Sequence, residues 1–165
     1  MQKEVFGIRI LCVDQAKTCG WALFENKKLV GHGVYTLGDS KGTYEDILFP
    51  ARQFVSSLIA QTKAEMVVIE DIQYQSNQQS FKKLAMLMGS LVALFKENET
   101  LFDIVPPTRW KGFAGIKGRK REEQKANTVD FVNKKFKLKL LSEDEADAIA
   151  MGYYAVNNIE TENLE

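Results

Sequence analysis

Two short runs of consecutive apolar residues, each closing on a carboxylate, constrain this chain most. Residues 6–14 (FGIRILCVD) end on Asp14, and residues 65–70 (EMVVIE) end on Glu70. Apolar runs of this length read as buried strands, and buried strands require other elements packed over them. Residues 20–25 (GWALFE) and 29–37 (LVGHGVYTL) predict two further strands, joined through the polar stretch Asn26, Lys27 and Lys28 as a hairpin. The chain therefore opens on a three-strand meander.

Helical periodicity follows. Over residues 43–63, Ile47, Phe54, Val55, Leu58 and Ile59 share a face, with Pro50 either kinking the helix or marking its start. Residues 78–98 predict a strongly apolar helix through Phe81, Leu84, Leu87, Met88, Leu91, Val92 and Phe95. Residues 102–105 form a short strand stopped by Pro106 and Pro107. The three glycines and four basic residues of 112–121 (GFAGIKGRKR) predict a mobile loop, and 122–137 a polar helix. Ser142, with Glu145 three residues on, is a capping-box signature and starts a last helix over 142–158. The order β-β-β-α-β-α-β-α-α implies an α/β fold with a mixed five-stranded sheet, three antiparallel strands and then parallel ones, flanked by helices. One domain over 1–158 with a frayed polar tail over 159–165 is expected.

Composition narrows the function classes. Apolar residues make up 45% of the chain and charged residues 27%, as in an ordinary globular protein. No apolar run approaches the roughly 18 residues of a membrane span, and residues 1–6 are not expected to act as a signal peptide. Cys12 and Cys19 are too few for a disulfide framework and read as reduced residues of a cytoplasmic protein. The formal net charge is zero, but it is unevenly spread. Residues 109–139 hold eleven Lys or Arg and three acids, a local +8 that the rest of the chain balances. That asymmetry is either a solvated lysine-rich helix face or the footprint of a polyanion.

The acids carry the chemistry. Asp14 and Glu70 stand at strand ends, where active sites of open α/β sheets gather. Asp71 alternates with Glu70 in an extended strand, so only one of the two joins a cluster. On the last helix Asp144, Asp147, Met151 and Tyr154 form one stripe whose later members are apolar or aromatic, which turns the two aspartates inward. Inward carboxylates need a partner that offsets their desolvation, and a divalent cation is the simplest. Taken singly, each acid has a plainer reading: a turn residue, a solvated strand end, or a carboxylate on a helix dipole. Together they predict a site for two Mg²⁺ ions, with Mn²⁺ as a substitute, roughly 4 Å apart across a scissile phosphate. His32, between Gly31 and Gly33, reads as an ordinary strand residue, and Trp110 as a packing residue.

At these residues the chain resembles the RuvC family of Holliday junction endonucleases, within the RNase H-like superfamily. Ile10 to Asp14, followed by Thr18, Cys19, Gly20, Trp21 and Ala22, resembles the family's first strand and hairpin. Cys19 here separates the Thr from the Gly, and Gln15-Ala16 replaces the family's Pro-Gly. Val68-Ile69-Glu70 resembles the strand bearing the catalytic glutamate, with Asn77, Ser80 and Gly89 at matching places beyond it. Residues 144–150 (DEADAIA) resemble the closing helix, and this is the most specific match. The resemblance implies that Asp14, Glu70, Asp144 and Asp147 are the catalytic, metal-binding tetrad. It also implies an RNase H-like fold, and a homodimer contacting through residues 78–98 that places paired nicks across a four-way junction. It places DNA contacts at Arg109, Lys111, Lys117, Arg119, Lys120 and Arg121. Gln73 and Tyr74 fall where the family often carries an aromatic residue at the junction centre. RuvC-like proteins of bacteriophages depart in a similar manner, which would put a phage-encoded chain in the bacterial cytoplasm.

Three other readings remain open from sequence. An actin-type nucleotide-binding domain would use residues 14–20 (DQAKTCG) as a phosphate loop, but such proteins need two domains of this kind. A non-catalytic junction-binding protein would not need all four acids. An RNase H-like nuclease of flaps, forks or RNA–DNA hybrids would keep them.

Overall fold

The computed structural model describes residues 8–39, 41–73 and 76–159. Three strands come first: β1 (Arg9–Asp14), β2 (Thr18–Glu25) and β3 (Lys28–Thr36). Helix α1 (Glu45–Thr62), strand β4 (Met66–Glu70), helix α2 (Gln78–Glu97) and strand β5 (Leu101–Val105) follow. Helices α3 (Pro107–Ala114), α4 (Arg121–Phe136) and α5 (Glu143–Asn158) complete the described chain. The sheet runs β3-β2-β1-β4-β5, antiparallel across β3-β2-β1 and parallel across β1-β4-β5. This is the expected α/β, RNase H-like mixed sheet.

Strand alternation divides the core in two. Ile10 and Cys12 of β1, Ala22 and Phe24 of β2, and Met66 and Val68 of β4 face one way, under Trp110 of α3, Val132 of α4 and the apolar side of α5. Leu11 and Val13, Leu23, Val67 and Ile69 face the other way, under Val55 and Leu58 of α1 and Leu87, Leu91 and Phe95 of α2. Helix α5 lies close on the sheet because its inward positions are small. A Cβ at Gly152 would stand 2.3 Å from the Phe24 ring.

The structure departs from the sequence reading in several places. The segment expected as a loop over 112–121 is shorter. Residues 107–114 are helical, and Arg121 already belongs to α4. Pro106 and Pro107 do stop β5, but Pro107 also starts α3. A proline at a first helical position gives up an amide that has no partner there and sets φ in advance. Pro50 lies inside α1, which begins at Glu45. The capping box at Ser142 is half made. The Ser142 hydroxyl accepts from the Glu145 amide, while the Glu145 carboxylate is hydrogen-bonded to Nδ1 of His32. Residues 6 and 7, Tyr74 and residues 160–165 lie outside the described residues, so the expectations for the first strand's start, for Tyr74 and for the tail beyond Ile159 are not addressed. No helix of the described chain is long and apolar enough to cross a membrane.

Candidate active site

The last residues of the two central strands supply the first two acids. β1 and β4 pair in parallel, Cys12 with Val68 and Val13 with Ile69, and the next step of that register sets Asp14 beside Glu70. Alternation gives Asp14 the parity of Ile10 and Cys12, and Glu70 the parity of Met66 and Val68. Both therefore point to the face covered by α5. Asp71 has the opposite parity, and its carboxylate accepts from the next amide, that of Ile72, at 2.9 Å. It borders the same cleft, but the neighbouring carboxylates acting on Asp14 are Glu70, Asp147 and Asp144.

Helix α5 brings the other two acids. Its first turn rests on β2 at Gly20, the residue that pairs with Asp14 in the β1–β2 ladder. A Cβ there would fall 1.9 Å from the Asp144 carbonyl oxygen and 2.7 Å from the Glu145 amide nitrogen, so only glycine admits the helix. The His32–Glu145 contact ties the same turn to β3. The resulting cleft of about 380 Å³ is bordered by Asp14, Glu70, Asp144 and Asp147 together, with Lys111, Arg121 and Lys125 on the α3–α4 side.

Glu70 is the most tightly specified of the four. Its carboxylate oxygen Oε2 accepts from the indole Nε1 of Trp110 at 2.7 Å, and Trp110 is fully buried. Its backbone is held by Gln15, only 7% exposed. The Gln15 amide donates to the Glu70 carbonyl at 2.6 Å and accepts from the Glu70 amide at 3.1 Å. A side chain thus extends the β1–β4 ladder past its end and fixes the separation of the two strand termini.

Burial raises all four carboxyl groups, and the neighbouring carboxylates raise Asp14 and Asp147 further. Asp14 stands well above the ordinary carboxylate range, through desolvation and then the charges of Glu70, Asp147 and Asp144. Asp147 is pushed up to about 7, mainly by burial, with Glu70 and Asp144 adding to it. Glu70 is raised by burial against the opposing pull of the Trp110 hydrogen bond and of Lys111, Lys125 and Arg121. Asp144 is raised by burial and by Glu143 and lowered by Lys125 and Arg121. Lys125 acts on all four acids and is ion-paired to Glu143 at 3.2 Å.

The donor set suits a hard divalent cation: carboxylate oxygens only, gathered where their mutual repulsion is costly. Among the described residues no three His, Cys, Asp or Glu side chains are already arranged to hold an ion.

Of the basic residues singled out from sequence, Lys111 and Arg121 border the cleft, as does Gln73. Arg109 is exposed on α3, and Lys117, Arg119 and Lys120 lie on the 115–120 connection. Arg119 and Lys120 line a separate shallow depression with Glu122 and Glu123. Sequence reasoning passed over Gln15, Gly20 as the seat of α5, the indole of Trp110 as a donor, and Lys125. A signal for Lys125 was present. Arg121, Gln124, Lys125 and Thr128 recur at helical spacing and form the cleft-facing stripe of α4.

No family model and no curated protein sequence matches the chain. Solved structures do. Thermus thermophilus RuvC in complex with Holliday junction substrate aligns with a TM-score of 0.71 at 14% identity, over 89% of this chain and 91% of that one. Fowlpox virus resolvase in complex with substrate Holliday junction DNA aligns at 0.65 and 15% identity, over 92% and 99% of the two chains. The yeast mitochondrial Holliday junction resolvase aligns at 0.63 and 13% identity, over 93% and 80%. The fold of this chain is RuvC-like.

Proposed function

We propose that this chain is a divalent-metal-dependent, structure-selective endonuclease that resolves four-way DNA junctions. The observation that carries this reading is the convergence of Asp14, Glu70, Asp144 and Asp147, from β1, β4 and α5, in one cleft whose other wall is cationic. The fold supports it, being shared with resolvases whose structures hold Holliday junction DNA.

Asp14, Glu70, Asp144 and Asp147 are the groups that would hold Mg²⁺, two ions or Mn²⁺ in their place. Divalent cations bound there supply Lewis acidity for an attacking water and a departing 3′-oxygen. Trp110 occupies one oxygen of Glu70 and so fixes the direction of the other. Gln15 holds the ends of β1 and β4 at constant separation. Lys111, Arg121 and Lys125 offset the negative charge of the phosphodiester that enters between them. Arg109, Lys117, Arg119 and Lys120 extend this cationic wall along the DNA. Gln73, at the cleft edge, is the group offered to the junction centre, and Tyr74, next to it in sequence, is a proposed DNA contact. A homodimer would present two such clefts related by a two-fold axis, as paired nicks in opposed strands require.

The test is a cleavage panel in Mg²⁺ and in Mn²⁺, comparing a four-way junction with fork, flap, linear duplex and RNA–DNA hybrid. Paired nicks at the junction are expected. Preferential cutting of flap, fork or hybrid would assign the same acids to a different RNase H-like nuclease. Junction binding with no cutting of any substrate would mark a binding protein.

A further inference from the structure

The cleft floor is anionic, and the cations described so far stand on one side of it. Lys111, Arg121 and Lys125 all come from α3 and α4. The other side holds a feature with no role yet. Ala16 and Leu84 border the cleft, and the residues next to them, Lys17 and Lys83, converge on one ring. Nζ of Lys17 lies 5.6 Å from the Tyr44 ring centroid, and Nζ of Lys83 lies 5.9 Å from it. Lys17 also donates to the Gly42 carbonyl. Tyr44 packs on the core under α1 and α2, the opposite sheet face from α4 and α5.

We propose that Lys17, Tyr44 and Lys83 form a second phosphate-binding site, which takes the DNA strand on the α1–α2 side of the cleft. The inference rests on the reading of this chain as a nuclease of branched DNA. Among the described residues neither lysine pairs with a carboxylate. The acids of the adjoining loop are engaged within that loop: Asp39 accepts from the Lys41 amide, and Asp46, whose Oδ2 lies near Gly42, accepts from the Thr43 amide and hydroxyl. Two ammonium groups held at one ring add their positive charges, and an anion that reaches both offsets them. The ring and the Gly42 carbonyl restrict the ammonium groups beforehand, so less side-chain freedom is lost when a phosphate arrives. The rest of the chain carries net negative charge once residues 109–139 are set aside, and this lysine pair lies outside that basic segment. A phosphodiester drawn over four carboxylates needs positive charge at both ends of its path. This site provides the second end.

The experiment measures binding of a labelled four-way junction by fluorescence anisotropy, in chelator to prevent cutting, across a series of salt concentrations. Each phosphate contact contributes about 0.9 to the slope of log K against log salt on duplex DNA. The Lys17→Ala/Lys83→Ala variant is expected to lower that slope by about 2 and to weaken binding about ten-fold or more near physiological salt. Lys83→Ala alone, which leaves the Gly42 contact in place, should lower the slope by about 1. Lys17→Arg/Lys83→Arg should keep the wild-type slope. Lys96→Ala, which removes a similar lysine–ring contact on Phe102 at the far end of α2, should change neither slope nor affinity. A wild-type slope and affinity in both alanine variants, alongside a loss in Arg109→Ala/Lys111→Ala, would overturn the second site and leave the nuclease reading standing. Failure of the wild-type protein to bind junction, fork or duplex would overturn both.

Discussion

The indole Nε1 of Trp110 donates to the Oε2 carboxylate oxygen of Glu70 across 2.7 Å, in a position where the tryptophan has no exposure to solvent. A hydrogen bond to a charged acceptor is worth about 1.5–3 kcal/mol, and a buried carboxylate that loses its donor bears the desolvation cost unaided. Trp110→Phe keeps most of the packing and removes only the donor. Its Tm in chelator is expected to fall by about 3–12 °C, at the 2–4 °C per kcal/mol typical of a chain this size. Mn²⁺ affinity, followed by calorimetry, is expected to weaken as well, because Glu70 gains rotational freedom. Unchanged Tm together with unchanged Mn²⁺ affinity would show that the indole does not position Glu70.

Neutralising one member of the acid cluster should separate chemistry from folding. Asp14→Asn and Asp144→Asn each remove a group assigned to hold metal while keeping its volume. Each is expected to abolish Mg²⁺-dependent nicking and to leave junction binding in chelator at or above the wild-type level. The same changes remove charge repulsion, so the metal-free variants should melt above the wild type, most clearly for Asp14→Asn. Asp14 is the acid raised by burial and by all three of the others. Cutting at the wild-type rate by either variant would remove that residue from the site.

Much of this site is written in strand parity. Asp14 continues the alternation of Ile10 and Cys12, and Glu70 that of Met66 and Val68, so both acids share a face once β1 and β4 pair. The inward stripe on α5 supplies the other two. What sequence does not show is how the acids are held. Trp110 belongs to α3, a helix hidden because Pro106 and Pro107 signal a strand's end and a helix's start with the same residues. Gln15 is a polar side chain in a loop position, and only the folded chain reveals that it substitutes for a strand neighbour. Lys125 sits among many lysines, and its charge matters only through the four carboxylates it meets from α4. The Glu145 of an apparent capping box is spent on His32, a partner 113 positions away in sequence.

The carboxyl shifts fix a pH dependence with an unusual sign. A carboxyl group whose pKa is raised in the folded state binds its proton more tightly there than in the unfolded chain, so its ionisation opposes folding. For Asp147 that penalty is fully present above about 7, the value of the folded group, and vanishes as pH falls towards the ordinary aspartate range. Asp14, Glu70 and Asp144 shift in the same direction. In chelator, Tm is therefore expected to rise as pH falls from about 8 to about 5.5, the reverse of ordinary acid destabilisation. Mg²⁺ competes with those protons, so the Tm increase it causes should be larger near pH 8 than near pH 6, roughly following ligand linkage. Differential scanning fluorimetry over that range, with and without Mg²⁺, reads both effects. A metal-induced increase independent of pH would show that the carboxylates are not the groups that bind the ion.

Gly20 offers a purely steric test of how the site is assembled. A Cβ at this position would overlap the backbone of Asp144 and Glu145, at 1.9 Å from the Asp144 oxygen and 2.7 Å from the Glu145 nitrogen. Backbone at a helix start cannot turn aside as a flexible side chain can, so Gly20→Ala must push the first turn of α5 off β2. Overpacking of this kind costs typically about 1–3 kcal/mol, and the displacement carries Asp144 away from Asp14, the ladder partner of Gly20. Gly20→Ala is expected to lose nicking far more severely than its loss of stability explains, and to bind Mn²⁺ more weakly. Gly112→Ala is the matched control. It sits within α3 with open space around the added methyl, and replacing a helical glycine by alanine should stabilise by up to about 1 kcal/mol. If Gly20→Ala retains wild-type nicking and metal affinity, the seating of α5 on β2 does not set the position of Asp144.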